Sequence, residues 1–322
     1  MNYLSKIKNQ TFFSLLSIFL SFIFVYRVPW HEIKYFHDFE VYKFRVAELY
    51  STGYNEEVFG IFLIFSELLW TQILQGLPLY FYDINSGITF ISFVTLSVYI
   101  YFTVTRVNFL IAFPLLFNPI FIDLIISQVR IGVSFSLLLI AFSLRKTVII
   151  PILLIICATL IHTATLLLLA IFITLSYFKR IFNSYQKYFK FALILPLFIM
   201  IFIQFALLTI FDFFDDGTRA SYFTNPIYST FLFTLPWIFF SVMIAILPKS
   251  SSVEENIDFV MYAISMGSLF FVSSIFQFYG SRFVAVSFPI FIIAINCLIK
   301  PFRYLMFLLL FLYQLIYFTY WV

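Results

Sequence analysis

The chain has 322 residues, of which 63% are hydrophobic and 11% are charged, and its net charge is +4. A soluble domain carries roughly 25% charged residues, so this composition excludes a soluble globular protein. The apolar runs are about 20 residues long and lack the alternation of barrel strands, which predicts an all-α, polytopic integral membrane protein.

The first apolar run, at 11–28, follows Lys6 and Lys8 and resembles a signal peptide. It is long enough to span a bilayer and no small-residue cleavage site follows it, so we predict an uncleaved helix with a cytoplasmic N-terminus. The apolar windows together predict about 10–12 transmembrane helices in a single transmembrane domain, residues 1–322. These windows are 11–28, 59–80, 86–105, 107–126, 131–144, 147–161, 163–178, 190–211, 229–248, 257–277, 283–299 and 304–321.

Two longer polar stretches, 29–58 and 212–228, are predicted to be periplasmic loops. Lys and Arg should gather on the cytoplasmic side of the membrane. One consistent ladder of such residues is formed by Arg145, Lys146, Lys179, Arg180, Lys187, Lys190, Lys249, Lys300 and Arg303. We interpret these clusters as topology signals, and they predict no nucleic-acid partner.

The ladder makes 147–178 a hairpin that turns near His162, and it places Arg130, His162 and Arg282 on the outer face. The number of membrane crossings counted from the N-terminus differs by one from the number that this ladder requires, and the difference lies between residues 59 and 127. Either 59–82 or 107–126 is then re-entrant, with Asn118-Pro119 as a candidate break.

The sequence Ser127-Gln128-Val129-Arg130 stands at the head of an apolar run. An Arg at a helix start opposes the helix dipole, so the guanidinium and the helix N–H groups together suit a bound anion. Arg also forks onto phosphate oxygens, which Lys does not. The alternative is an Arg whose side chain extends to the membrane interface.

His162 is a lone histidine flanked by Thr163 and Thr165 in an apolar stretch of about 30 residues. Ionisable groups at membrane depth are functional candidates, so His162 is predicted to be a general base or a donor to a phosphate or sugar. The alternative is a hydrogen-bonded core or hairpin residue. Glu67, inside the run 59–80, is interpreted as a structural partner for an Arg.

Carboxylates alternate with aromatic residues in the stretch that contains Asp38, Tyr42, Arg45 and Glu57. This pattern suits a carbohydrate, because aromatic rings stack on sugar faces while carboxylates accept hydroxyl protons. The alternative is an amphipathic segment that lies in the membrane interface.

Arg219 and Arg282 are further candidate substrate-binding residues, and Arg282 repeats at a predicted helix start the argument made for Arg130. The adjacent carboxylates Asp215 and Asp216 are weak evidence for a divalent cation, so no metal site is predicted. The chain has neither GxxxxGK[ST] nor a dinucleotide-binding glycine motif. We therefore predict no cofactor, and an enzyme of this kind needs an activated substrate carried by a lipid.

The order of these residues resembles the EpsG family, which is similar to the Wzy O-antigen and capsule polymerases. Ile131 departs from the polar residue expected after the Arg. The resemblance lies in Asp38-x-x-x-Tyr42, Glu57 before a helix, Gln128-x-Arg130 opening a helix, His162 about 30 residues later and the late Arg282.

This resemblance implies a multi-pass protein of the bacterial inner membrane that polymerises undecaprenyl-diphosphate-linked repeat units into O-antigen, capsule or exopolysaccharide on the periplasmic side. A chain-length regulator protein is an optional further partner. Arg130 would stabilise the diphosphate leaving group, and His162, Asp38 or Glu57 would act as the base. The alternatives are a flippase or transporter of lipid-linked oligosaccharide, and another membrane glycosyl- or acyltransferase. Charges that gather on one face favour an enzyme.

Overall fold

A computed structural model describes residues 3–28, 30, 37–52, 67–144, 147–182, 184–204, 231–276 and 280–321. The secondary-structure elements in these ranges are helices. The helices are α1 (Tyr3–Arg27), α2 (His37–Thr52), α3 (Leu68–Tyr80), α4 (Ile84–Val104), α5 (Phe109–Leu116), α6 (Pro119–Ile126), α7 (Val129–Ser143), α8 (Ile149–Ile161), α9 (Ala164–Lys179), α10 (Tyr185–Phe202), α11 (Phe231–Ile246), α12 (Val253–Ile275), α13 (Ser281–Asn296) and α14 (Lys300–Trp321).

Several of these helices fit a lipid bilayer. Among the described residues, five helices are long and apolar enough to cross a membrane, and a sixth span results if α6 and α7 are taken together across their 98° bend. Further apolar helices of 10–17 residues accompany them. The predicted all-α membrane class is confirmed at this level, whereas the number of passes and the periplasmic assignment of the polar stretches stay predictions.

Polar side chains begin three successive helices in the first half of the chain. Asp83 precedes α4 and accepts the Ser86 backbone N–H at 2.6 Å, a hydrogen bond that lowers the pKa of the Asp83 carboxyl. Asn108 and Asn118 cap α5 and α6 in the same way, at 2.9 Å and 3.0 Å. Since proline forces the residue before it into extended backbone, α6 begins at Pro119 and the predicted break at Asn118-Pro119 is confirmed.

The chain forms two compact units, residues 1–168 and 169–322. In the first unit, α4 and α7 run in the same direction side by side. A Cβ at Gly132 would lie 3.4 Å from Thr95 Cγ2, and the Ser143 hydroxyl lies 3.4 Å from Arg106 Nη2. At about 1.5 Å per residue, the start of α7 therefore lies about 20 Å from the Ser143 end, near the middle of α4.

The second unit is built around α12, which is buried along most of its length. Trp237 of α11 packs edge-on against Phe291 of α13, with ring centroids 5.2 Å apart. Its indole N–H donates to the Tyr313 hydroxyl at 3.2 Å, and this hydroxyl donates to the Phe233 carbonyl at 3.2 Å. The buried indole is thereby satisfied, and α11, α13 and α14 are joined at one level.

Lys249 ends α11. Its ammonium donates to the carbonyls of Ala245 at 2.9 Å and Leu247 at 2.7 Å, and it lies 4.3 Å above the Phe189 ring. Burial lowers the pKa of Lys249 to about 8. A cation suits this position because the last carbonyls of a helix carry partial negative charge.

Gly267 makes a close helix crossing in the second unit. A Cβ there would meet the Ser241 hydroxyl and would lie 2.9 Å from the Trp237 carbonyl oxygen. Gly267→Ala should therefore destabilise the protein by about 1–3 kcal/mol through overpacking. Gly76→Ala is the matched control, because nothing lies within 4 Å of its added Cβ, and it should stabilise α3 by about 0.5–1 kcal/mol. Thermal unfolding in detergent measures both, and equal unfolding temperatures for the two variants would contradict this packing.

Candidate functional site

The turn between α6 and α7 orients Gln128. The backbone N–H groups of Ser127 and Gln128 both donate to the Asp123 carbonyl, at 2.8 Å and 3.0 Å. The Gln128 side chain is buried and its amide donates to Asp123 Oδ2 at 2.5 Å. Asp123 thus closes α6 and fixes the entry to α7, where Arg130 is the second residue.

Glu67, just before α3, joins Arg130 and His162. Its Oε2 accepts from Arg130 Nη1, and its Oε1 accepts from His162 Nδ1 at 2.6 Å. The side chains of Glu67, His162 and Arg130 are 8%, 9% and 24% exposed. A carboxylate at such depth requires positive or hydrogen-bonding partners, and this one has both. The Arg130 guanidinium therefore points toward the buried Glu67 carboxylate. An Arg side chain that extended to the membrane interface would point away from it.

The backbone of Glu67 is left-handed, with φ 53° and ψ 44°. Among the described residues it is the one non-glycine residue with positive φ. This conformation is unfavourable for a residue with a Cβ and persists where surrounding contacts hold it, most often at functional sites. The left-handed turn places the Glu67 carboxylate between residues that are 63 and 95 positions away in the sequence.

His162 lies at a break between two helices. It follows α8 in extended backbone, with φ −152° and ψ 117°, and α9 begins at Ala164. The Ser134 hydroxyl of α7 donates to the Ala158 carbonyl at 2.8 Å and contacts the Thr165 hydroxyl, so both helices near the break are tied to α7. The predicted helix break near His162 is confirmed, and the hairpin arrangement of α8 and α9 and its sidedness stay predictions.

The contact with Glu67 also determines the tautomer of His162. A carboxylate only accepts hydrogen bonds, so Nδ1 carries the proton in the neutral imidazole and Nε2 is the basic nitrogen. The carboxylate further stabilises the imidazolium that forms when Nε2 takes up a proton.

Helix α2 brings two more predicted residues to this site. Tyr42 is buried, its ring packs edge-on against Trp70 at 5.4 Å, and its hydroxyl lies 3.5 Å from the backbone N–H of Arg130. Arg45 acts electrostatically on Glu67. The stretch 29–58 was predicted to be a periplasmic loop; its residues 37–52 form α2, and the periplasmic location stays a prediction. The helix forms there because Tyr42 and Val46, four residues apart, share one buried face.

Four further predicted site residues are Asp38, Glu57, Arg219 and Arg282. Asp38 lies in the first turn of α2, but its side chain, like Glu57 and Arg219, lies outside the described part of the structure. Arg282 is the second residue of α13, as predicted, and belongs to the second unit. No group of three or more metal-ligating side chains occurs among the described residues.

The cluster lies near the middle of α4, because Arg130 opens α7 at that level. Arg130 and His162 were predicted to lie on the outer face, and this sidedness stays a prediction. Glu67 was interpreted as a structural partner, and Asp123 was missed. Both are single acidic residues inside apolar runs, the signal that marks functional positions in membrane proteins.

Comparisons with protein-family models, with curated proteins and with solved structures found no match for this chain. Function is therefore inferred from the chemistry of Arg130, Glu67 and His162.

Proposed function

We propose that this chain is a glycosyltransferase of the bacterial inner membrane that polymerises lipid-diphosphate-linked oligosaccharide repeats into a surface polysaccharide. The observation that supports this proposal is the buried Glu67 carboxylate, which holds an imidazole and a guanidinium in one site. A base and an anion-binding cation are the two groups that transfer of a glycan from a diphosphate carrier requires.

The proposed reaction assigns one role to each group. The acceptor sugar hydroxyl attacks C1 of the donor sugar, and a new C–O bond forms. The bond between C1 and the diphosphate oxygen breaks, and the diphosphate leaves with the electron pair. His162 Nε2 takes the hydroxyl proton, and the guanidinium of Arg130 stabilises the charge that grows on the leaving group. Gln128 and Tyr42 lie beside Arg130 and are proposed to orient the substrate.

A deletion strain tests this function. Assembly and export of one repeat unit do not need a polymerase, so we expect a surface glycan of a single repeat. Expression of the wild-type protein should restore long chains. Glycan electrophoresis and mass spectrometry of the carrier lipid measure the result. A strain that makes no repeat unit would show an earlier glycosyltransferase, and the proposal would fall.

A transporter of lipid-linked oligosaccharide is the second candidate. The level of Arg130 and Glu67, near the middle of α4, favours it, since charged pairs at membrane depth also occur along transport paths. The deletion strain separates the two functions. Repeat units that accumulate on the inner leaflet would identify a flippase, whereas a polymerase leaves single repeats at the surface.

A further inference from the structure

We infer that Glu67 is a positioning residue that couples proton uptake at His162 to anion capture at Arg130. This inference rests on the proposed function, which supplies the diphosphate as the anion. The carboxylate has one negative charge and two partners, each on its own oxygen.

Charge balance at the site explains the coupling. When His162 is neutral, the positive charge of the Arg130 guanidinium and the negative charge of the Glu67 carboxylate cancel. Proton uptake at His162 alone leaves a buried excess of positive charge, and anion binding at Arg130 alone leaves an excess of negative charge. Both excesses are unfavourable in a buried site. When both events occur, the proton offsets part of the negative charge of the diphosphate, so each favours the other, and by linkage the effect is reciprocal.

Glu67 is the group through which this exchange takes place. When a diphosphate binds the Arg130 guanidinium, the Glu67 carboxylate no longer shares its charge with Arg130. Its negative charge then stabilises the protonated form of His162. In the proposed reaction both changes occur in one step, because the hydroxyl proton reaches His162 while negative charge grows on the leaving diphosphate. The carboxylate can then stabilise the imidazolium without holding Arg130 back from the substrate.

The other charged groups near this pair come from separate helices. Arg45 on α2 acts on Glu67, and Asp123 on α6 is hydrogen-bonded by Gln128. Tyr42 contributes a hydroxyl beside the Arg130 backbone. The Glu67 carboxylate contacts both Arg130 and His162, so removal of its charge should uncouple the two.

The test measures His162 directly. A His31→Gln/His37→Gln protein, purified in detergent without a histidine tag, leaves His162 as the single histidine. NMR of the labelled imidazole then gives the pH at which His162 is half protonated. Saturating inorganic diphosphate should raise this pH by about one unit, a tenfold gain in proton affinity. An unchanged value would overturn the coupling, and this measurement needs no variant of Glu67.

Glu67→Gln tests the role of the carboxylate, since the amide oxygen still accepts a hydrogen bond but has no charge. Without diphosphate, half-protonation should move to lower pH by about one unit, and the diphosphate effect should fall to less than half. Glu254→Gln, at an exposed position in the first turn of α12, is the matched control and should change neither value. A carboxylate that only compensated His162 would also lower this pH when it is replaced, but the diphosphate effect would then keep its wild-type size.

If Glu67→Gln does not accumulate, Glu67→Asp is the variant to measure. It keeps the negative charge on a side chain that is one methylene shorter. It should retain the direction of the diphosphate effect with a smaller size, and loss of the effect in a folded Asp variant would contradict charge coupling. The deletion strain tests the function separately. An unchanged surface glycan together with a diphosphate-dependent His162 would remove the polymerase and leave the coupling standing.

Discussion

Arg130→Lys is expected to lower the rate of polymer formation by about a hundred- to a thousandfold, while the protein accumulates normally. Lysine keeps one positive charge opposite Glu67, so the buried carboxylate stays compensated. It lacks the planar fork that binds two phosphate oxygens at once. Loss of a preorganised donor to developing charge typically costs about 3–4 kcal/mol, which corresponds to this decrease in rate.

The measurement is the length distribution of surface glycan, compared at equal amounts of membrane-inserted protein. Arg180→Lys is the matched control, because Arg180 is exposed at the end of α9 and should tolerate the change. An Arg that merely extended to the interface would be replaced by Lys without effect. Wild-type glycan from Arg130→Lys cells would therefore remove Arg130 from the reaction.

Arg130→Ala should abolish the polymer, but this variant has a second effect. It leaves the buried Glu67 carboxylate without its cationic partner, and breaking such a pair destabilises a protein by about 3–5 kcal/mol. The variant Arg130→Met/Glu67→Gln removes both charges and should recover most of this stability without recovering polymer. Polymer from the double variant would contradict the proposed role of Arg130.

The sequence predicted those parts of the fold that depend on interactions within one segment of the chain. The apolar runs predicted helices, because backbone groups in lipid must be satisfied within the segment. Asn118-Pro119 predicted a break, because proline restricts the residue before it. Gln128 and Arg130 were correctly placed at the start of a helix. The stretch 29–58 was predicted to be a periplasmic loop from its polar residues, and the helix over 37–52 within it became evident from the structure.

The pairing within the site required the structure. A sequence shows that a buried Glu67 needs a partner, but it does not show which cation among several fulfils that need. The partners lie 63 and 95 residues away, and the approach depends on a left-handed backbone that glutamate does not favour. Local periodicity contains no information on such contacts. The depth of Arg130 along α4 likewise became visible only from the contacts between α4 and α7.

His162→Asn is expected to lower the rate of polymer formation by about a hundred- to ten-thousandfold, the usual contribution of a general base. The asparagine amide can donate to Glu67 in place of Nδ1, so the buried carboxylate keeps this hydrogen bond and the fold should persist. The basic Nε2 is lost. Thr163→Val, at the neighbouring half-buried position, is the matched control and should have little effect.

The pH dependence separates a base from a structural residue. A base must be unprotonated to act, so the wild-type rate should fall as the pH drops through the range where His162 gains its proton. The small residual rate of His162→Asn should lack this acidic decrease. If His162→Asn works at the wild-type rate, the base lies elsewhere, and Asp38→Asn and Glu57→Gln become the variants to measure. In that case Arg130 would still hold the anion, and His162 would serve only to compensate the buried Glu67 carboxylate.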